Sequence, residues 1–163
     1  MHEKYKLTPE VMSILNPLAE IEYYQSSFYI QLAAIANKLG FFKAEKYFLN
    51  ESSEEREHFL KHYTYIQGMG SDFKVPSIGA VDTSAKNLYE LTEKALDMEE
   101  KVTEAYKEAA KKLSGMDQAT YNHILLFLTI QTEAVAFYID ACAALTDLGG
   151  KAGEMIVEKS VFK

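Results

Sequence analysis

The sequence predicts an all-α protein: a four-helix bundle with one long crossover connection and a short fifth helix at the C-terminus. Three observations lead there. Four long segments carry apolar residues at helical spacing, glycine-bearing breaks separate them, and those breaks run short, long, short.

The first helix is expected over about residues 9–38. Thr8 followed by Pro9 reads as an N-cap with proline at the first helical position, and Val11, Ile14, Leu15, Leu18, Ile21 and Phe28 continue the apolar stripe. Gly40 interrupts it. A second pattern over about 42–68 carries Ala44, Phe48, Phe59, Leu60, Tyr63 and Ile66 and stops at Gly68. The sixteen residues GMGSDFKVPSIGAVDT, from Gly68 to Thr83, hold three glycines and a proline and must be a loop. A third helix is expected to start at Thr83 or Ser84 and last to about Leu113. The turn SGMD then precedes a fourth helix over about 118–148.

Helices of this size are about 40 Å long at ~1.5 Å per residue, so the two short breaks can join only antiparallel neighbours. The long one can extend to roughly 50 Å at about 3.3 Å per residue, enough to return along the bundle and start the third helix at the same end as the second. An up-and-down bundle would not need it. After Gly149 and Gly150, the residues Met155, Ile156, Val161 and Phe162 suggest a short helix over about 152–161, which must dock on something to be stable.

The 163 residues suit a single domain spanning 1–163. With 24 acidic against 17 basic side chains the net charge is −7, which disfavours nucleic acid and leaves attraction of cations as the use of the field. One cysteine, Cys142, excludes disulfide stapling and is expected to be a buried packing residue. The opening MHEKYKLTPE has no apolar targeting segment, and polar residues break the apolar runs before they reach the length of a membrane span. A cytoplasmic protein with no membrane partner is the expectation.

Each of the four long helices carries a glutamate where an apolar stripe runs. Glu22 lies with Leu18 and Ala33, Glu55 stands one turn before His58, Glu99 sits among Leu96, Met98 and Val102, and Glu133 is the only acid in LLFLTIQTEAVAFYI. A carboxylate on an apolar face must meet a cation or hold a proton. One acid from each of four helices plus one histidine is a donor set able to hold two metal ions in a bundle core.

These motifs resemble the non-haem ferritins. EYYQSSFY at 22–29 is similar to the family's first-helix motif, a metal-binding glutamate followed seven residues later by a tyrosine beside the iron site, here Tyr29. SEEREHF at 53–59 resembles the second-helix signature, whose second glutamate bridges two irons and whose histidine ligates one, matching Glu55 and His58. LDMEEKV resembles the third-helix motif, with its ligand at Glu99. IQTEA resembles the fourth-helix motif and puts Glu133 where a glutamine often stands near the second metal.

The resemblance implies a di-iron centre cycling between Fe(II) and Fe(III), with Glu22 and His58 on the first ion, Glu55 bridging, and Glu99 and Glu133 on the second. It implies a ferroxidase that oxidises Fe(II) with dioxygen or peroxide and stores the mineral in an oligomeric shell, with the fifth helix pointing to a homo-24-mer. Departures from the family are expected to matter. Thr132, Val135 and Ala136 stand where bacterial members place carboxylates for a third iron, although Glu54 remains. Glu54 and Glu57 match accessory nucleation positions where Leu60 replaces a third acid.

Carboxylates with one imidazole suit Fe(II), Mn(II) or Zn(II). No haem is expected, since Met69, Met98 and Met116 do not fall in a haem-binding motif. A rubrerythrin-like peroxide reductase would carry a further Glu-x-x-His in its last helix and a cysteine-rich module, both missing here. A non-catalytic shell or scaffold subunit would lose ligands that this chain keeps. Gln131 reads as structural and His123 as a surface or subunit-contact residue. His62, one turn beyond His58, is a possible adventitious zinc ligand, and His2 is terminal.

Overall fold

A computed structural model describes residues 5–163; His2 lies outside that range. Its helices are α1 (Pro9–Leu39), α2 (Phe42–Gly68), α3 (Leu88–Leu113), α4 (Gln118–Leu148) and α5 (Gly150–Ser160). Local chemistry sets most boundaries. The Thr8 hydroxyl accepts from the Val11 N–H at 3.2 Å, and Gly40, at φ 84°, takes the left-handed conformation that closes α1. Asp117 caps α4 by accepting from the Thr120 N–H at 2.8 Å.

The start of α3 differs from the sequence expectation. Thr83 and Ser84 remain in the crossover, and Asn87 is the cap, its side chain accepting from the Glu90 N–H at 2.8 Å. Glu90 in turn reaches back to accept from the Lys86 N–H at 2.8 Å, and the helix so begun buries Leu88 and Leu91.

Two carboxylates of α5 complete helix starts that their own sequence leaves uncapped or half-capped. Glu158 accepts from the Lys43 N–H at 2.6 Å, at the beginning of α2. Glu154, one turn earlier on α5, accepts from the Leu88 N–H at 3.0 Å, at the beginning of α3. Both carboxylates are buried, and each meets the positive end of a helix dipole. Because α5 follows directly on α4, these bonds place the starts of α2 and α3 and the end of α4 at one end of the molecule. Parallel α2 and α3 require the connection of residues 69–87 to travel the length of the bundle. It is held on the way by Ser71, whose hydroxyl accepts from the Leu7 N–H at 2.9 Å, and by Phe73, packed edge-on against Phe59 and Tyr63.

The helices pair as α1 with α2 and α3 with α4. Leu15, Leu32, Phe48, Leu91, Val102 and Ile124 are among the buried apolar residues between them. Around Tyr47 a cluster of aromatic rings, Phe48, Phe137, Tyr138 and Phe162, joins α2, α4 and the C-terminal segment. Cys142 is half-buried rather than buried. The helix α4 is long and apolar enough to cross a membrane by length and composition alone, correcting the expectation that no stretch reaches that length. Much of its apolar surface faces out of the single chain, including Leu126, Ile139 and Leu148.

Candidate metal centre

Buried at mid-bundle, four ionisable side chains from three helices converge: Glu22 from α1, Glu55 and His58 from α2, and Glu99 from α3. The α2 stripe explains two of them. Glu55 and His58 are one turn apart on the inward face that also carries Phe48 and Ser52, so both point to the core. Donor atoms of Glu22, Glu55 and His58 all lie within 4.8 Å of one another. His58 Nδ1 is 2.9 Å from Glu55 Oε2 and 3.6 Å from Glu22 Oε2. A second group of three, Glu51, Glu55 and Glu99, meets the same closeness, so Glu55 is common to both.

Each of the two fully buried acids is fixed through one oxygen and free at the other. Tyr106 donates to Glu22 Oε1. Tyr29 donates to Glu99 Oε1, which also accepts from the Gln25 amide at 2.8 Å. Glu22 Oε2 and Glu99 Oε2 have no hydrogen-bond partner. Buried carboxylate oxygens left in this way are expensive, and a cation held at each group would remove the expense.

The electrostatics agree. Burial pushes the Glu55 carboxyl well above the usual range, and the neighbouring Glu22 adds to the effect. Burial also raises Glu99, to about 7, against the opposing hydrogen bonds from Tyr29 and Gln25. Glu51 is lifted to about 8 by burial and then by Glu54. At Glu22 burial again opposes the charge, yet the nearby His58 imidazole and the other neighbours outweigh it and hold the carboxyl below its ordinary value. Without a metal, the cluster therefore stores protons that divalent cations would displace. The donor set fits two such ions. One would find two carboxylates and an imidazole, and the other only carboxylates.

A family model described as ferritin-like domain matches residues 12–146. The chain belongs to the ferritin-like family. A probable bacterial non-heme ferritin-like protein of Haemophilus influenzae is 27% identical over 158 residues, 95% of each chain. A bacterial non-heme ferritin of Staphylococcus aureus is 26% identical over 146 residues, 88% of this chain and 87% of the relative. Among solved structures, the open-pore ferritin of the archaeon Archaeoglobus fulgidus superposes with a TM-score of 0.91 at 19% identity, covering 96% of this chain and 97% of the other, a likeness of fold.

Within this ferritin-like bundle the expected residues divide. Glu22, Glu55, His58 and Glu99 come together, and Tyr29 stands where its spacing from Glu22 put it, fully buried, its phenol kept protonated chiefly by burial. Glu133 does not join them. It is exposed on α4, and the core position is taken by Gln131, buried and with its Oε1 unpartnered. The periodicity of α4 carries the reason: its buried residues Ile124, Phe127, Gln131, Tyr138 and Leu145 step by three, four or seven, and Glu133 falls off that stripe. The accessory positions Glu54 and Glu57 are exposed on α2.

Glu51 is the acid that sequence reasoning missed. It lies one turn before Glu55, so the series Glu51, Glu55, His58, His62 was legible as a single row along α2. Tyr106 and Gln25 carry no comparable signal, since a tyrosine or glutamine in a helix is ordinarily packing or surface.

Proposed function

We propose that this chain is a ferroxidase subunit that takes up Fe(II) as substrate, oxidises it with dioxygen or peroxide, and retains the ferric product in a shell of identical copies. One observation carries the reading: two three-donor groups share Glu55, while Glu22 and Glu99 each leave one buried oxygen without a partner. His58 and Glu22 hold the first Fe(II), Glu99 and Glu51 the second, and Glu55 lies between them. Gln25, Tyr29 and Tyr106 fix the two terminal carboxylates so that only their free oxygens face the ions. Each Fe(II) gives up one electron to the oxidant, and carboxylates favour the harder Fe(III) that results.

The Staphylococcus aureus relative named as a bacterial non-heme ferritin supports the same activity. Assembly is supported by exposed apolar residues on α4 and α5, notably Leu126, Ile139, Leu148, Met155 and Ile156, which a neighbouring copy would cover. A closed shell of twenty-four copies is the assembly we propose. A reducing, cytoplasmic setting suits both the Fe(II) substrate and the lone thiol.

Stepwise anaerobic addition of Fe(II) to metal-free protein, followed by air, tests the reading. Two irons bound per chain, rapid development of ferric absorbance and a large particle that keeps further iron in solution are expected. Absence of binding, or binding without oxidation by either oxidant, would refute it.

A further inference from the structure

Two histidines outside the metal centre meet between α2 and α4. His62 Nδ1 lies 3.2 Å from His123 Nε2, with the ring planes at 82°. His58, one turn before His62, is committed to Glu55 and Glu22, and the close donor groups of the centre do not include His62. The partner of His62 is therefore on another helix. His123, expected as a surface or subunit-contact residue, is half-buried on α4 and lines an open cavity of about 610 Å³ together with Leu60, Thr64 and Leu126.

Packing holds both imidazoles in place. His62 is completely buried, stacked on Phe127 at 4.4 Å and parallel to Tyr106, while His123 stacks on Tyr65 at 4.1 Å. The pair is preorganised before any ligand arrives.

The hydrogen bonds decide which nitrogen of His62 is open to a ligand. Tyr106 donates to Glu22, and a carboxylate can only accept, so the Tyr106 oxygen, 2.7 Å from His62 Nε2, accepts from Nε2–H. The lone pair of His62 is then on Nδ1, facing His123. A metal-ligating histidine donates its other ring N–H to a protein acceptor, which fixes tautomer and ring orientation. Tyr106 is that acceptor here. Burial holds His62 down at about 3 and His123 at about 4, which leaves both rings in the neutral form that ligates metal.

The spacing of the two nitrogens selects the ligand. At a zinc–nitrogen length of about 2.0–2.1 Å, two imidazole nitrogens on neighbouring corners of a tetrahedron stand about 3.3–3.4 Å apart. The observed 3.2 Å needs an adjustment of only a few tenths of an ångström. Without an ion, His123 Nε2–H fills the gap by donating to His62 Nδ1. With one, that hydrogen resides on His123 Nδ1 and two lone pairs meet the cation, so no proton is gained or lost. Water from the cavity completes the coordination. Imidazole without carboxylate suits a borderline cation rather than a hard one.

We infer that His62 and His123 form a mononuclear site for a divalent cation of the zinc(II) type, open to the α2/α4 cavity and separate from the carboxylate-rich positions around Glu55. It does not depend on the ferroxidase reading.

Zinc(II) and cobalt(II) are the probes. Metal-free parent, His123→Ala and Glu55→Ala, each checked for helical content, would be titrated with Zn(II) against a chelating dye and with Co(II) followed by visible absorption, which is far stronger for tetrahedral than for octahedral Co(II). The parent should bind one more Zn(II) per chain than His123→Ala, at concentrations well below millimolar. The tetrahedral Co(II) bands should persist in Glu55→Ala and vanish in His123→Ala. Diffraction from zinc-loaded parent crystals at the zinc absorption edge should place an ion on His62 Nδ1 and His123 Nε2, a reading that stands even where a variant fails to fold.

Equal Zn(II) counts in the parent and His123→Ala, or a difference confined to millimolar zinc, would mean an adventitious ion only and overturn the site. So would a zinc-edge map with no peak between the two histidines. Iron oxidation enters none of these readings, so a parent chain that binds Fe(II) without oxidising it would remove the ferroxidase reading and leave the two-histidine site standing.

Discussion

Metal-free protein should lose stability as the pH rises through neutrality, opposite to what a protein held by ordinary ion pairs does. The perturbation is pH alone, from about 6.5 to about 8.5, with a chelator present; below that window the buried His62 and His123, held down at about 3 and about 4, add a trend of the opposite sign. Glu51 titrates near 8 and Glu99 near 7 in the fold, against an ordinary 4.5, and Glu55 is raised as well. The folded chain therefore binds more protons than the unfolded one across that window, and the stability these acids contribute is present below about 4.5 and lost as the pH climbs through their folded values.

Each proton held in excess changes stability by ~1.4 kcal/mol per pH unit. Summed separately, the shifts at Glu51 and Glu99 would exceed the stability of many domains. Glu51 is partly open to solvent and the carboxyls interact, so a net loss of about 3 kcal/mol is expected. For a chain of this size that corresponds to roughly 6–12 °C in apparent melting temperature.

Thermal unfolding followed by circular dichroism at several pH values measures it. Glu51→Gln serves as the internal control, because removing the highest-titrating acid should flatten the decline. Zinc(II), redox-silent, should reverse its sign by displacing the stored protons. A melting temperature in chelator that is flat or rises between pH 6.5 and 8.5, or an equal decline in Glu51→Gln, would refute the account of the cluster as a proton store.

Glu55→Ala, which removes the carboxylate common to both ion positions, should abolish rapid Fe(II) oxidation while leaving helical content unchanged; stopped-flow absorbance at a parental rate would contradict the shared role. Glu133→Gln should leave both anaerobic Fe(II) binding phases as they are, whereas Glu51→Gln should weaken one of two, and calorimetric titration of the pair distinguishes them. Glu158→Ala, by uncovering the Lys43 N–H at the start of α2, should lower stability by about 1–2 kcal/mol, read as a shifted denaturant midpoint, with the loss of α5 docking visible as faster proteolysis of the C-terminal segment.

The architecture was open to sequence reasoning where chemistry is local. Thr8-Pro9, Gly40 and the length of the crossover each act through the backbone of their own neighbourhood, and helical period identified the inward faces of α1, α2 and α3. The start of α3 was misplaced because Thr83, Ser84 and Asn87 are all competent caps, and only the packing of Leu88 and Leu91 selects among them. At the site, Glu133 attracted attention as a lone acid in an apolar run, but α4 is apolar on its outer side too, so isolation there did not mean burial. Tyr106 and Gln25 act by meeting residues tens of positions away, a relation with no trace in local spacing.

The docking of α5 through Glu154 and Glu158 ties the outer boundary of the subunit to its chemistry. The helices whose first turns it clasps are those bearing Glu51, Glu55 and His58, and Glu99. On its other side α5 exposes Met155 and Ile156. A neighbour that pressed on those two residues would tighten the clasp, and with it the alignment of α2 against α3. An isolated subunit would then be a slacker vessel for metal than an assembled one, and competence to process iron would mature with the quaternary structure.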